Sequence, residues 1–420
     1  MKEDRTQKRE QKRALKKERR AARKVMKPRY KFFMWLTHVL TAPIIKFKYH
    51  AKINKFDGRD GRNYLILFNH QTPFDQFFIG AAFRSLKKTI RLVATEDVTS
   101  NGFFSRFLTF AYGIIPFKKQ TTDVKAVAEC MKTAECGGNI AIAPEGNRTY
   151  SGETCYIRPS IAGLIKALKL PVLFFTIDGG YGVEPRWSSK RRKGKMTCGV
   201  TRVLEYEEYK NLSKDEVYDI VKNELNHDES SDGRVYKSRR SAEKLERLIY
   251  VCPHCGLSEF TSRKDTLTCK SCGRSVKYNA DKTFSGDFGF KTGLEWYKYQ
   301  EEYIKSADLS AYTDTPAFTD TVRLSRVIPY VIKVPVYKKA HLSLYADRIV
   351  FKSRKGEKTF EYKDVKGMTV LGRNKLNVIT DGTTYQIKGS KAFNAVKYMH
   401  FYYVFAQKEG VSDGSIFFGI

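Results

Sequence analysis

A chain of 420 residues is too long for one ordinary hydrophobic core and implies two or three domains. Apolar side chains make up 41% of it and charged ones 29%, enough apolar material for packed cores, which excludes wholesale disorder. Lys and Arg number 77 against 45 Asp and Glu, a formal charge of +32, so a polyanionic partner is expected, either a phospholipid surface or a nucleic acid.

Residues 1–31 hold 15 of the Lys/Arg and 4 of the Asp/Glu and are predicted to form a basic, solvated N-terminal helix. No short apolar core follows a brief cationic start, so no signal peptide is predicted. The charge-free run Phe32–Ile45 comes next, 14 residues long. As a helix it would reach roughly 21 Å, short of the roughly 30 Å hydrocarbon core of a bilayer. It is therefore expected to lie in the interface, with the basic helix beside it on anionic head groups. That places the protein at the cytoplasmic face of a membrane, as a peripheral or monotopic protein. The plainer alternative is a core helix behind a solvated charge run.

From Tyr64 onward, short β-branched or aromatic runs alternate with helical patterns. The runs 64–68, 91–95, 113–117, 139–143 and 172–177 read as buried strands. Helices are expected near 73–84, 100–111, 122–135, 160–169 and 213–225. Ser213 with Glu216 forms a capping box, and Gly137-Gly138 closes the third helix. Such alternation predicts an α/β domain over residues 32–249, with sites where loops leave the carboxyl ends of the strands.

Three strand ends carry chemistry-bearing residues. NHQTPFD (69–75) follows the first strand. With Thr72 as N-cap, Pro73 as first helical residue and Asp75 at the third, the Asp75 carboxylate can reach back to a ring nitrogen of His70. That would fix the tautomer and leave the other nitrogen free to take a proton. Asp75 as a mere helix cap is the plain alternative. PEGNRTYSG (144–152) follows the fourth strand. There Glu145, Gly146 and Arg148 are candidates for a phosphate seat, Arg148 offering a bidentate fork and Gly146 close backbone approach. A surface loop holding an ion pair is the plain alternative and the better reading of this element alone. GIIPFKK (113–119) runs into Lys118 and Lys119 at the same end of the sheet.

Near Tyr250 the character changes. Cys252, Cys255, Cys269 and Cys272 form C-x2-C-x13-C-x2-C, each pair followed by a glycine, the signature of a closed tetrahedral structural zinc, with iron of rubredoxin type as the minor variant. Residues 250–285 are thus expected to be a zinc ribbon and 286–320 a linker. Residues 321–410 then show short alternating runs parted by turns at Lys355-Gly356 and Asp381-Gly382, closed by a helical pattern from Ser390 to Gln407. That predicts a β-rich domain of pleckstrin-homology type.

Together, the three strand-end elements resemble the glycerolipid acyltransferases of lysophosphatidate acyltransferase (PlsC-like) type. NHQTPFD matches the family's N-H-x4-D block and PEGNR its E-G-x-R block. GIIPFKK resembles a block that normally ends in Arg, with Lys119 in that place, and LPVLFF (170–175) resembles a V-P-V-x-P-V block with Phe174 replacing the second proline. The resemblance covers roughly residues 30–250 and implies a mixed sheet flanked by helices. It also implies transfer of an acyl group from acyl-CoA or acyl-ACP to the hydroxyl of 1-acylglycerol-3-phosphate, giving phosphatidate, or to another lysolipid. His70 and Asp75 would be catalytic, and Glu145, Gly146, Arg148 and Lys119 would hold the acceptor phosphate. The partners implied are the lysolipid, the acyl donor and the anionic membrane. A zinc-ribbon nucleic-acid binder would interleave aromatic residues with Lys/Arg. Residues 251–280 offer only Phe260 and Tyr278, and that reading leaves NHQTPFD and PEGNR without a purpose.

Overall fold

The computed structural model describes residues 22–95, 100, 102–117, 123–329 and 331–410. Most of the basic front end, and Lys118 and Lys119, lie outside them. Residues 22–25 are helical, and a new helix, α1 (Pro28–Lys48), starts with proline at its first turn. It contains the apolar run Phe32–Ile45. Among the described residues no helix is long and apolar enough to cross a membrane.

The α/β domain then follows as β1 (Ala51–Ile53), β2 (Leu65–Phe68), α2 (Asp75–Ala82), β3 (Ile90–Thr95), α3 (Phe103–Tyr112), β4 (Ile115–Phe117), α4 (Val124–Glu135), β5 (Asn139–Ile142), α5 (Ser160–Leu168), β6 (Val172–Asp178), β7 (Met196–Leu204) and α6 (Lys214–Leu225). The sheet runs β1-β7-β6-β2-β5-β3-β4. Its pairs are parallel except β6 with β7, so the sheet is mixed. The apolar runs are continuous because both faces are covered. Ile66, Leu173 and Phe175 pack on one side, and Leu65, Leu67, Ile140 and Phe174 on the other. Ser213 caps α6 with the expected reciprocal bonds to Glu216.

The cysteine-bearing segment consists of a short hairpin, β8 (Val251–Cys252) with β9 (Gly256–Leu257), and a four-stranded antiparallel sheet of β10 (Phe260–Arg263), β11 (Thr266–Cys269), β12 (Ser275–Tyr278) and β13 (Phe284–Gly286). Residues 286–320, expected as a linker, instead carry a 14-residue helix, α7 (Gly293–Ser306), capped by Thr292. The reason is aromatic packing. Trp296 is fully buried among Phe260, Phe284, Phe288 and Phe290, and its Nε1 donates to the Val251 carbonyl at 2.8 Å.

The last unit is a seven-stranded antiparallel sheet of β14 (Phe318–Ile328), β15 (Ile332–Leu344), β16 (Arg348–Ser353), β17 (Gly356–Glu361), β18 (Val365–Leu371), β19 (Lys375–Thr380) and β20 (Thr383–Gly389). It forms a half-barrel closed by α8 (Val396–Lys408), which packs on β18. α8 starts later than the sequence pattern does, where Asn394 Oδ1 accepts from the N–H groups of Val396 and Lys397. The cysteine-bearing segment, α7 and the half-barrel share one continuous core. Tyr150, Tyr181 and Trp187 of the α/β domain enter it as well.

Candidate active site

The turn between β2 and α2 places the first pair. His70 Nδ1 lies 2.7 Å from Asp75 Oδ2. The same oxygen accepts from the Gln71 N–H at 2.9 Å, while Asp75 Oδ1 accepts from the N–H and the hydroxyl of Thr72 at 2.8 and 2.7 Å. Four donors thus hold a carboxylate that is 1% exposed. Helix α2 starts two residues later than the sequence suggests, with Phe74 at the N-cap. Thr72 still caps locally, its Oγ1 accepting from the Phe74 N–H at 3.1 Å. The N–H groups of residues 71, 72 and 74 are therefore taken up inside the turn. Burial holds the His70 pKa below its ordinary value and the charges of Arg148 and Arg186 add to that, against the opposing pull of Asp75. With Nδ1 donating to Asp75, the neutral ring presents Nε2 as a base at neutral pH.

The loop after β5 builds the second element, with a division of labour that the sequence does not reveal. Glu145 turns inward: its Oε1 accepts from the His70 N–H at 2.8 Å and its Oε2 from the Cys155 N–H at 2.7 Å. Burial pushes it up to about 8, the two backbone donors pulling the other way. It thus braces the backbone of the base rather than facing a ligand. Gly146 occupies a left-handed turn at φ +63°, where a side chain would be strained, and its N–H bonds the Ala143 carbonyl. Arg148 is 9% exposed, and its Nη1 is buried without a hydrogen-bond partner. Burial and the neighbouring Arg186 bring it down to about 10. A guanidinium in that state is a seat for an anion. Of the four residues expected to hold phosphate, Glu145 and Gly146 shape the loop, Arg148 faces an open role, and Lys119 lies outside the described residues.

The sequence reading missed a further group just past β6. Glu184, Arg186 and Arg191 lie in the basic run EPRWSSKRR (184–192), whose position at a strand end was the available signal. Glu184 accepts from the Tyr49 hydroxyl at 2.6 Å and from Arg191 Nε at 3.1 Å. The Arg191 guanidinium lies over the rings of Tyr49 and Phe74, next to the start of α2. Nearby, Glu229 accepts the N–H groups of Gly179, Gly180 and Gly182 and pins this loop.

Among the described residues, two clusters have converging metal-ligand atoms. In the first, Cys252, Cys255, Cys269 and Cys272 bring their sulfurs together, with Sγ–Sγ distances of 3.8 Å for Cys252–Cys272 and 3.6 Å for Cys255–Cys269. A tetrahedron with Zn–S bonds of about 2.3 Å has edges of about 3.8 Å, so the thiols can bind a metal such as zinc. In the second, Asp178, His227 and Glu229 already have partners. Arg234 grips Asp178 through two bonds of 2.6 Å, and Glu229 holds the glycine N–H groups. That cluster is an internal clamp.

Residues 46–177 match the family model described as Acyltransferase, and His70, Asp75, Glu145 and Arg148 lie within that segment. The chain is similar to that family over this segment. It resembles the crystal structure of the 1-acyl-sn-glycerophosphate (LPA) acyltransferase PlsC from Thermotoga maritima, at 18% identity and a TM-score of 0.32, over 48% of this chain and 77% of that one. It also resembles the solution structure of the N-terminal PH domain of human ARAP2, at 13% identity and a TM-score of 0.20, over 27% of this chain and 95% of that domain. A search of the curated proteins returned no match.

Proposed function

We propose that the protein is a 1-acylglycerol-3-phosphate O-acyltransferase that moves a fatty acyl group from acyl-CoA or acyl-ACP to lysophosphatidate, giving phosphatidate. The observation that carries this reading is the pairing of an oriented neutral base, His70 on Asp75, with the buried and unpartnered Arg148. His70 Nε2 takes the proton of the acceptor hydroxyl as its oxygen attacks the thioester carbonyl. The positive end of α2 favours the negative charge that develops on the carbonyl oxygen. As the tetrahedral intermediate collapses, the C–S bond breaks and the thiolate leaves with the proton from His70. Arg148 positions the acceptor through its phosphate, and Lys119, outside the described residues, is the further cation the sequence offers for it. The four cysteines hold a structural zinc, since all four positions around the metal are filled and none is left for chemistry.

The same reading places the protein on the cytoplasmic face of an anionic membrane, as a peripheral or monotopic protein. Phe32, Trp35, Leu40 and Phe47 on α1, and Phe103, Phe104 and Phe110 on α3, are exposed, and Phe103 is 85% exposed. The two helices touch through Phe33 with Phe107 and Phe110, and through Arg29 over Phe110. An apolar face of this size flanked by Lys and Arg suits a lipid interface. The test is an assay of purified full-length protein with acyl-CoA against lysophosphatidate, lysophosphatidylcholine and monoacylglycerol. Selective acylation of lysophosphatidate is expected. Preference for the neutral or zwitterionic acceptor would replace this reading with another lysolipid acyltransferase.

A further inference from the structure

The turn between β18 and β19 of the half-barrel reaches the acyltransferase site. Gly372, at φ +57°, and Arg373 form its tip. The buried Arg186 fastens it there, with Nε donating to the Gly372 carbonyl at 2.8 Å, Nη2 to the Val370 carbonyl at 2.9 Å and Nη1 to the Arg148 carbonyl at 2.6 Å. One guanidinium thus ties the half-barrel to the loop that carries Arg148, and its face covers the Tyr150 ring at 4.3 Å. The Tyr150 hydroxyl also donates to the carbonyls of Gly372 and Arg373. Arg373 itself extends to Glu184, Nη2 to Oε1 at 2.6 Å, and remains 34% exposed.

The charges here do not balance. Arg191 and Arg373 share one hydrogen-bonded carboxylate, that of Glu184, while Arg186 bonds only carbonyls there and Arg148 Nη1 bonds nothing. Asp75 is committed to the His70 turn, and Glu145 to two backbone N–H groups. Arg148 senses Arg186, Glu184 and Arg373 electrostatically, and Arg148 and Arg186 in turn act on His70. Several guanidinium groups gathered in a partly buried site with too few anions are unfavourable until an anion joins them. A dianionic phosphomonoester suits two guanidinium forks.

We propose that the β18–β19 turn forms a wall of the active site and that Arg373 binds the phosphomonoester of the acceptor together with Arg148. The half-barrel is then part of the substrate site. This rests on the acyltransferase reading given above, and the experiment separates the two. Full-length Arg373→Gln and Arg373→Lys would be compared with wild type in two assays. One measures KM for lysophosphatidate, for monoacylglycerol and for acyl-CoA. The other measures binding of lysophosphatidate and of monoacylglycerol to the detergent-dispersed protein without any acyl donor.

Arg373→Gln is expected to raise the lysophosphatidate KM about tenfold or more and weaken its binding to match, with kcat, the acyl-CoA KM and monoacylglycerol binding little changed. Arg373→Lys should recover part of the loss, which a purely structural role would not explain. Unchanged lysophosphatidate KM and binding, or equal losses for the phosphorylated and neutral lipids, would overturn the proposal. If wild-type protein acylated no acceptor, the functional reading would fall, and the binding comparison would still decide the role of Arg373.

Discussion

Replacing Asp75 with Asn changes one atom at the centre of the site. Oδ1 serves Thr72 and Oδ2 serves His70 and Gln71. If the new amide keeps its oxygen toward Thr72, its NH2 meets the Gln71 N–H and His70 Nδ1. The Gln71 N–H then loses its acceptor, at a cost of about 1–3 kcal/mol. Nδ1 has to accept rather than donate, which moves the ring proton to Nε2 and removes the base. If the amide flips, the Thr72 N–H is orphaned instead, at a similar cost, and His70 keeps a weaker, uncharged acceptor. Proton transfer of this kind supplies about 10²–10⁴-fold in rate, so kcat should fall about a hundredfold or more where the base is lost and at least about tenfold where the flipped amide leaves a weaker partner. The melting temperature should fall by several degrees, as about 2 kcal/mol does in a domain of this size. The check is a rate of phosphatidate formation at saturating substrates, with a thermal melt on the same preparation. A variant that keeps more than about a tenth of wild-type kcat would refute the orienting role of Asp75.

Other expectations follow from neighbouring groups. Because burial depresses His70, the acid limb of kcat/KM should have its midpoint below the ordinary histidine value of about 6.5, activity falling as the ring protonates; a midpoint above that value would contradict the buried setting. His227, though burial opposes it, is held up to about 9 by Asp178 and Glu229. Its contribution to stability is full below about pH 6.5 and is lost as pH rises through about 9, so melts between pH 7 and 10 should show a decline that His227→Gln removes. Arg148→Ala should raise the acceptor KM more than the donor KM, as steady-state kinetics with each substrate varied would show. Deleting residues 1–27 should weaken sedimentation with anionic vesicles and remove most of its salt dependence, while activity on detergent-dispersed acceptor persists; equal vesicle binding would mean a solvated tail.

The sheet was legible where hydrophobic runs are continuous. YLILF and VLFFTI lie within one or two residues of β2 and β6, because strands covered on both faces leave no polar alternation to confuse them. The antiparallel β7 was missed because Thr197 and Arg202 interrupt its apolar pattern. The α7 helix carries Leu294, Tyr297 and Ile304 on its buried side, but its charged outer face made the segment read as a linker. At the site, residue identity brought out the His70–Asp75 pair and Arg148. It did not reveal that Glu145 points inward, since a carboxylate at a strand end reads the same facing either way. Arg373 was beyond reach, because the contact between the half-barrel and the loop after β6 joins residues 189 positions apart.

The central claim is that His70 drives acyl transfer from a thioester to the hydroxyl of a phosphorylated lysolipid. The most direct measurement follows released thiol and formed phosphatidate together, in wild-type protein and His70→Ala, with acyl-CoA and lysophosphatidate. Wild type should release one thiol per phosphatidate, and His70→Ala should be slower by about a hundredfold or more in both signals with an unchanged melting temperature. Thiol release without phosphatidate, or a His70→Ala variant that keeps more than about a tenth of the wild-type rate, would contradict it.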